Sequence, residues 1–318
     1  MESLSLQKKF DLAKKEFEKG DINKGFFIAE SNKTYNTHYT NSDWETYTRE
    51  MQEKYHKAFD RYSNCPGGEM KKYYDKRWKQ WMPPKMASYG SSSRFIYEKS
   101  RMIPSFRFEE GLPIGIQGYG KEAVASLDGF YEPKCIYVEA KCHEFYNPLS
   151  TEFKDKYEEF YNYLVNATGG AFKFDVKRDI KKPTVKFSWK NAPITQFDLK
   201  QVLCHLLGIA KKTLQDAGKQ VPTFIYLVYK PSPELLAVVE KRYGKRTANT
   251  IKTRWEKEHE EYELIPIKQL YKHVVYFMYE KKGVGQNISK EELERIACSF
   301  HTHFCDQDNY LSYITNHE

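Results

Sequence analysis

Apolar positions recur at helical spacing through the first part of the chain. Leu6, Phe10, Ala13 and Phe17 fall on one face, and Trp44, Tyr47, Met51, Tyr55, Phe59 and Tyr62 form a second stripe. Ser42 with Glu45 has the spacing of a capping box ahead of that second stripe, and the run Asn64 to Glu69, NCPGGE, closes it. Residues 1–85 therefore read as a charged helical region that ends in a basic aromatic stretch, Lys71 to Trp81. The segment Trp81 to Ser93, with two prolines and four serines, reads as a boundary.

The period then changes. Arg94 to Met102 predicts a short helix and Phe106 to Glu110 a strand. Glu122 to Tyr131 and Cys135 to Cys142 are β-prone apolar segments separated by a turn at Glu132-Pro133-Lys134. Gly115, Gly118 and Gly120 lack the strand-to-helix setting of a phosphate loop and predict a turn before Glu122. Residues 143–194 are mixed and Lys-rich and read as an insertion. Asp198 to Ala217 predicts a helix with Leu199, Val202, Leu203, Leu206, Ala210 and Leu214 on its buried face, ended by Gly218. Thr223 to Tyr229 is a continuous apolar run of the kind found in a buried strand. Residues 232–261 read as charged, helical and inserted, Tyr262 to Ile267 as a last strand held to an edge or end by Pro266, and Ser289 with Glu292 as the cap of a final helix. Strands alternating with helices give a mixed α/β core over 86–318, carrying a helical N-terminal extension.

Composition narrows the classes. Hydrophobic residues make up 40% of the 318, enough for a sizeable core. The net charge of +8 permits a polyanionic partner, and 25 Tyr, 20 Phe and 5 Trp interleaved with Lys suit phosphate contact plus base stacking. An AT-rich coding sequence would produce much of the same bias. No apolar run reaches the length of a membrane span, and the N-terminal amphipathic pattern lacks a signal-peptide core. Six scattered Cys without paired spacing suit a reducing, intracellular (cytoplasmic) setting.

Chemistry concentrates between Asp128 and Lys141. Glu139 and Lys141 are two apart on a strand, so they leave the same face, and pairing of the two apolar segments would bring Asp128 beside them. The tripeptide acid-x-Lys recurs at Glu132, Glu152 and Asp179; Glu139 differs because it ends a β-prone apolar run, where charge is costly unless used.

These residues resemble the PD-(D/E)XK restriction-endonuclease-like nuclease superfamily over Ser91 to about Ile267, with Asp128 as the first acid and Glu139 and Lys141 as the second half of the motif. Leu127 stands where that family often has proline. Phe197 to Gly208 is similar to the helix that follows the motif, which often carries a glutamine. The resemblance implies a restriction-endonuclease-like fold and a metal-dependent endonuclease: Asp128, Glu139 and the Ala140 carbonyl holding Mg²⁺ (or Mn²⁺), Lys141 positioning the attacking water, Gln201 orienting Lys141 or the water, and Glu110 as a further acid. It implies double-stranded DNA as substrate, a restriction or other defence role and, by analogy with members that cut both strands, a homodimer. The rival readings are a catalytically silent nucleic-acid-binding protein of the same fold, and a nuclease acting on RNA or in DNA repair.

His205, one turn after Gln201, reads first as a core residue. Cys298, His301, His303 and Cys305 match no usual zinc spacing and read as helix packing. Three basic runs, Lys71 to Lys79, Lys177 to Lys190 and Lys241 to Arg254, are solvated faces or phosphate contacts.

Overall fold

The computed structural model describes residues 73–75, 80–82 and 92–315, apart from 101, 119, 143–148, 150, 179–181, 234–235, 238–239 and 242–243. The two helical stripes expected before residue 63 lie outside the described residues. Within the extension, Tyr73–Asp75 (β1) and Gln80–Met82 (β2) form an antiparallel pair, where the sequence pattern had suggested helix.

The core begins with helix α1 (Ser92–Ser100), followed by strands β3 (Phe106–Gln117), β4 (Glu122–Tyr131) and β5 (Ile136–Lys141). A single 3-10 turn, Glu132–Lys134, joins β4 to β5, and Pro133 suits its opening because a proline there withholds no needed N–H. The expected insertion is a small unit of its own. Helix α2 (Glu158–Ala167) backs the antiparallel strands β6 (Phe172–Lys177), β7 (Thr184–Trp189) and β8 (Ala192–Ile194). Alternation along β6 and β7 turns Phe172, Phe187 and Trp189 inward and Lys173 and Lys186 to solvent.

Helix α3 (Leu199–Gln215) starts at Asp198, whose side chain accepts a hydrogen bond from the Gln201 N–H at 3.0 Å, as an N-cap should. Strand β9 (Thr223–Val228) follows. Next come helices α4 (Lys245–Leu264), α5 (Ile267–Lys282) and α6 (Lys290–Cys298), strand β10 (His301–Cys305) and the short α7 (Tyr310–Thr315). Ser289 caps α6 as expected, accepting from the Glu292 N–H.

The main sheet has the order β10-β9-β5-β4-β3. The hairpin-linked strands β3, β4 and β5 run antiparallel, while β5, β9 and β10 are parallel neighbours joined by helical crossovers. This is a mixed α/β architecture. Side chains split between two faces. Tyr137, Phe224 and Tyr226 share the larger core with α3 and α5, whereas Ile136, Val138, Ala140, Ile225 and Leu227 pack with Ile96, Tyr97 and Tyr310 on the other side. Helix α3 lies close on the sheet because Gly208 leaves room: a Cβ there would stand 2.6 Å from Leu112 Cβ.

Three expectations are corrected. Tyr262 to Ile267 is no strand. It holds the last turn of α4, a two-residue break at Ile265 and Pro266 and the start of α5, and Pro266 is the N-cap where its missing N–H costs nothing. Residues 301–305 are a strand, so Cys298, at the end of α6, shares no helix face with His301 and Cys305. The strand expected at Phe106 to Glu110 runs on to Gln117.

Candidate active site

Register determines what meets Asp128. Phe108 pairs with Gly129 and Glu110 with Leu127, so Glu109 lies opposite Asp128. Both strands exchange faces at this level. On β3, Phe106 and Phe108 belong to the smaller core but Leu112, Ile114 and Ile116 to the larger one, although all five are even-numbered. On β4, Leu127 and Phe130 both join the larger core, three residues apart. Glu109 sits in the left-handed region (φ 53°), which resets the alternation on its strand. Gly129 faces the smaller core, where a Cβ would stand 2.5 Å from Phe106 Cζ.

The same irregularity ends a ladder. Strands β4 and β5 pair from Tyr131↔Ile136 to Gly129↔Val138 and no further. The next inward N–H on β5, that of Ala140, donates to Asp128 Oδ2 at 2.8 Å. On an extended strand the N–H and C=O of one residue point to the same edge. The carbonyls of Cys135 and Lys141 accept from the β9 side, Thr223 N–H at 3.0 Å and Tyr229 N–H at 2.7 Å. The Ala140 carbonyl, one residue out of phase with these, is therefore directed towards β4 and Asp128. Asp128 Oδ1 accepts from the Ser92 hydroxyl at 3.2 Å, and Glu109 Oε1 from the Ser93 hydroxyl at 2.5 Å.

Glu139 and Lys141 leave β5 on the α3 side. Lys141 Nζ is 2.9 Å from Glu139 Oε1 and donates to Gln201 Oε1; Gln201 Nε2 donates to Glu139 Oε1 at 2.7 Å. His205 Nε2 stands 2.9 Å from Glu139 Oε2, and Asp198 Oδ2 is 4.0 Å from Lys141 Nζ. Successive turns of α3 thus supply Asp198, Gln201 and His205 to one cluster. Gln201 and His205 also line a cleft of about 550 Å³, together with Ser126, Glu152, Asp198 and Lys200.

The electrostatics of the two acids diverge. Burial, and then the charges of Glu139 and Glu109, push the Asp128 carboxyl well above the ordinary carboxylate range, against the Ala140 N–H and Lys141. Burial also opposes ionisation of Glu139, but Lys141 and His205 outweigh it and hold that carboxyl below its usual value. Asp128 and Glu139 are 8% and 2% exposed, so neither charge is screened by bulk water.

The structure therefore brings Asp128, Glu139, Ala140, Lys141 and Gln201 together at the point where β4 leaves β5. It does not bring Glu110 there. That carboxylate takes Arg107 Nη2 at 3.3 Å, and register puts Glu109 beside Asp128 instead. Glu109, Ser92, Ser93 and Asp198 join the site without having been singled out in the sequence. Asp198 carried an N-cap signal and Glu109 only its place next to Glu110. His205, read first as a core residue, is 1% exposed, and from there it faces Glu139.

Hard oxygen donors suit a divalent cation of the Mg²⁺ type. The raised Asp128 carboxyl is what a buried acid lacking a compensating positive charge would show, so the residues fit such an ion. Among the described residues no group of three His, Cys, Asp or Glu side chains is arranged to hold a metal. A cation here would take two carboxylates, a carbonyl and water. No helix among the described residues is long and apolar enough to cross a membrane. Comparisons with protein-family models, curated proteins and solved structures returned no match.

Proposed function

We propose that this chain is a metal-dependent endonuclease that hydrolyses phosphodiester bonds in double-stranded DNA. One observation carries the reading. An acid and a lysine leave the same face at the end of a buried strand, and a second acid takes the N–H between them just where the neighbouring strand peels away. A purely structural role gives no reason to bury two carboxylates and an ammonium at an opening in a sheet, since such groups are costly unless used.

Asp128, Glu139 and the Ala140 carbonyl would hold the cation, and the ion would supply charge neutralisation at the phosphate oxygens and acidify a bound water. Lys141 holds a proton donor over the same opening and positions a water or a phosphate oxygen. Gln201 fixes Lys141 through its amide oxygen and Glu139 through its amide nitrogen, so both keep one rotamer. His205 Nε2 lies 2.9 Å from the other oxygen of Glu139. Restriction of foreign DNA or another defence role fits this chemistry.

Nicking of supercoiled plasmid in Mg²⁺ or Mn²⁺, against EDTA, tests the proposal. Wild type nicks only with metal, and Lys141→Ala loses at least about a hundredfold in rate. Binding without cutting under every divalent metal would leave a silent nucleic-acid-binding protein, and preference for RNA would change the substrate.

A further inference from the structure

Helix α4 follows β9 and is amphipathic in an uneven way. Its buried side, Ala248, Ile251, Trp255, Glu258 and Tyr262, runs the full length, but the charge of its outer side changes halfway. From Lys241 to Trp255 there is no acidic residue, whereas Glu256, Glu260 and Glu263 follow on the outer side and Glu258 and Glu261 on the buried one. In the basic half, Arg246, Asn249, Thr250 and Thr253 stand at i, i+3, i+4 and i+7 and are all exposed, so they form one stripe. Lys245 and Lys252, also exposed, flank it.

The position of this stripe matters as much as its composition. Ala248 and Ile251 cluster with Cys142, the residue after Lys141, and with Phe95 and Tyr229. Phe95 is on α1, whose first residue holds Asp128, and Tyr229 follows the last residue of β9. The basic half of α4 therefore rises beside the lip that carries the candidate active site, on the C-terminal side of β5 and β9. The acidic half is tied down instead. Tyr226 donates to Glu258 at 2.9 Å, and Glu261 accepts from the Gln196 and Phe197 N–H groups at 2.8 and 2.9 Å.

We propose that α4 is the sequence-reading helix of this nuclease, lying in the major groove of duplex DNA with Arg246 and Asn249 on base edges and Lys245 and Lys252 on flanking phosphates. The inference rests on the function proposed above. Arg and Asn are the side chains that pair bidentately with guanine and adenine edges, and Thr contacts bases or the thymine methyl. A helix about 10–12 Å across fits the roughly 12 Å major groove of B-DNA but not the deep, narrow groove of A-form RNA. The ten residues 245–254 run about 15 Å along the helix axis, the length of roughly four base pairs.

The test measures binding of 30-base-pair duplexes in EDTA, where no cutting occurs, together with selection of bound sequences from a random duplex library. Lys245→Ala with Lys252→Ala weakens binding to every duplex about tenfold and lowers the salt slope by about 2. Arg246→Ala with Asn249→Ala leaves that slope nearly unchanged but lowers discrimination between selected and scrambled duplexes about ten- to hundredfold. Lys173→Ala with Lys186→Ala, exposed on β6 and β7, serves as the control on another element and selects the wild-type sequences. Arg246→Lys with Asn249→Gln keeps charge and polarity, so it reads the same point if the alanine pair melts early. Unchanged selection in both α4 reading pairs, a loss that follows the β6/β7 pair instead, or equal affinity for duplex RNA would each overturn the assignment. Failure of wild type to nick plasmid in Mg²⁺ or Mn²⁺ counts against the nuclease reading, and these metal-free arms still decide whether α4 reads sequence.

Discussion

Glu261→Gln tests how the site is held from a distance. Glu261 lies on α4, is 4% exposed, and is the acceptor for the loop that leads into α3. Its Oε1 takes the Thr195 hydroxyl at 3.0 Å, and its Oε2 takes the Gln196 and Phe197 N–H groups at 2.8 and 2.9 Å; the Thr195 N–H is 3.0 Å from both oxygens. Glutamine has the same shape but only one acceptor. With its amide oxygen in the Oε2 place it still accepts from the Gln196 and Phe197 N–H groups, and its NH₂ donates to the Thr195 hydroxyl, which turns to accept; what is lost is the negative charge behind these hydrogen bonds. Hydrogen bonds to a charged acceptor are worth about 1.5–3 kcal/mol against about 1 for neutral ones, so the substitution costs about 1–3 kcal/mol. At roughly 2–4 °C per kcal/mol for a domain of this size, the melting temperature falls by about 2–12 °C. Thermal unfolding followed by far-UV circular dichroism reads this directly. A variant that melts within about 1 °C of wild type would refute the reasoning, because the charge would then add nothing to the loop's hydrogen bonds.

Asp128→Asn follows a definite sign. A carboxyl whose pKa rises on folding contributes stability below its unfolded value, about 3.9, and loses it as pH rises through the folded value. Without metal, the variant therefore gains on wild type in melting temperature from about pH 4 towards neutrality, and a constant difference across that range would contradict the burial account. Mn²⁺ at a hundredfold excess over its dissociation constant raises the wild-type melting point by the equivalent of about 2.7 kcal/mol and leaves Asp128→Asn nearly unmoved, as calorimetry would record. Gly129→Ala forces a methyl against the Phe106 ring and costs about 1–3 kcal/mol in denaturant unfolding; an unchanged midpoint would mean the ring moves freely.

Much of the frame was legible because its signals are local. Thr223–Val228 is uniformly apolar, Asp198 and Gly218 bracket a helix with one clean apolar face, and Pro133 marks the tight link between β4 and β5. The pairing of Glu139 with Lys141 followed from period two alone. What escaped depends on distant contacts. β10 reads His-Thr-His-Phe-Cys, with no apolar alternation, and is a strand because β9 offers it a parallel ladder. Tyr262 to Ile267 carries β-prone residues, yet Tyr262 packs against Phe197 and Phe304 at the end of a helix. Glu109 has no glycine to announce its left-handed backbone, so the face exchange that puts it opposite Asp128, and Glu110 with Arg107, had no local mark.

The parallel pairing of β5 with β9 also bears on synthesis. Ile136 to Lys141 must find Thr223 to Val228 across more than eighty intervening residues, and closing so long a loop is slow. A chain still emerging from the ribosome holds β5 against β4 alone, with its other edge open, until β9 has been made. The hairpin carries Asp128, Glu139 and Lys141 together from the start, whereas Gln201 and His205, which fix Glu139 and Lys141, arrive only with α3 about sixty residues later, so the cluster is completed late.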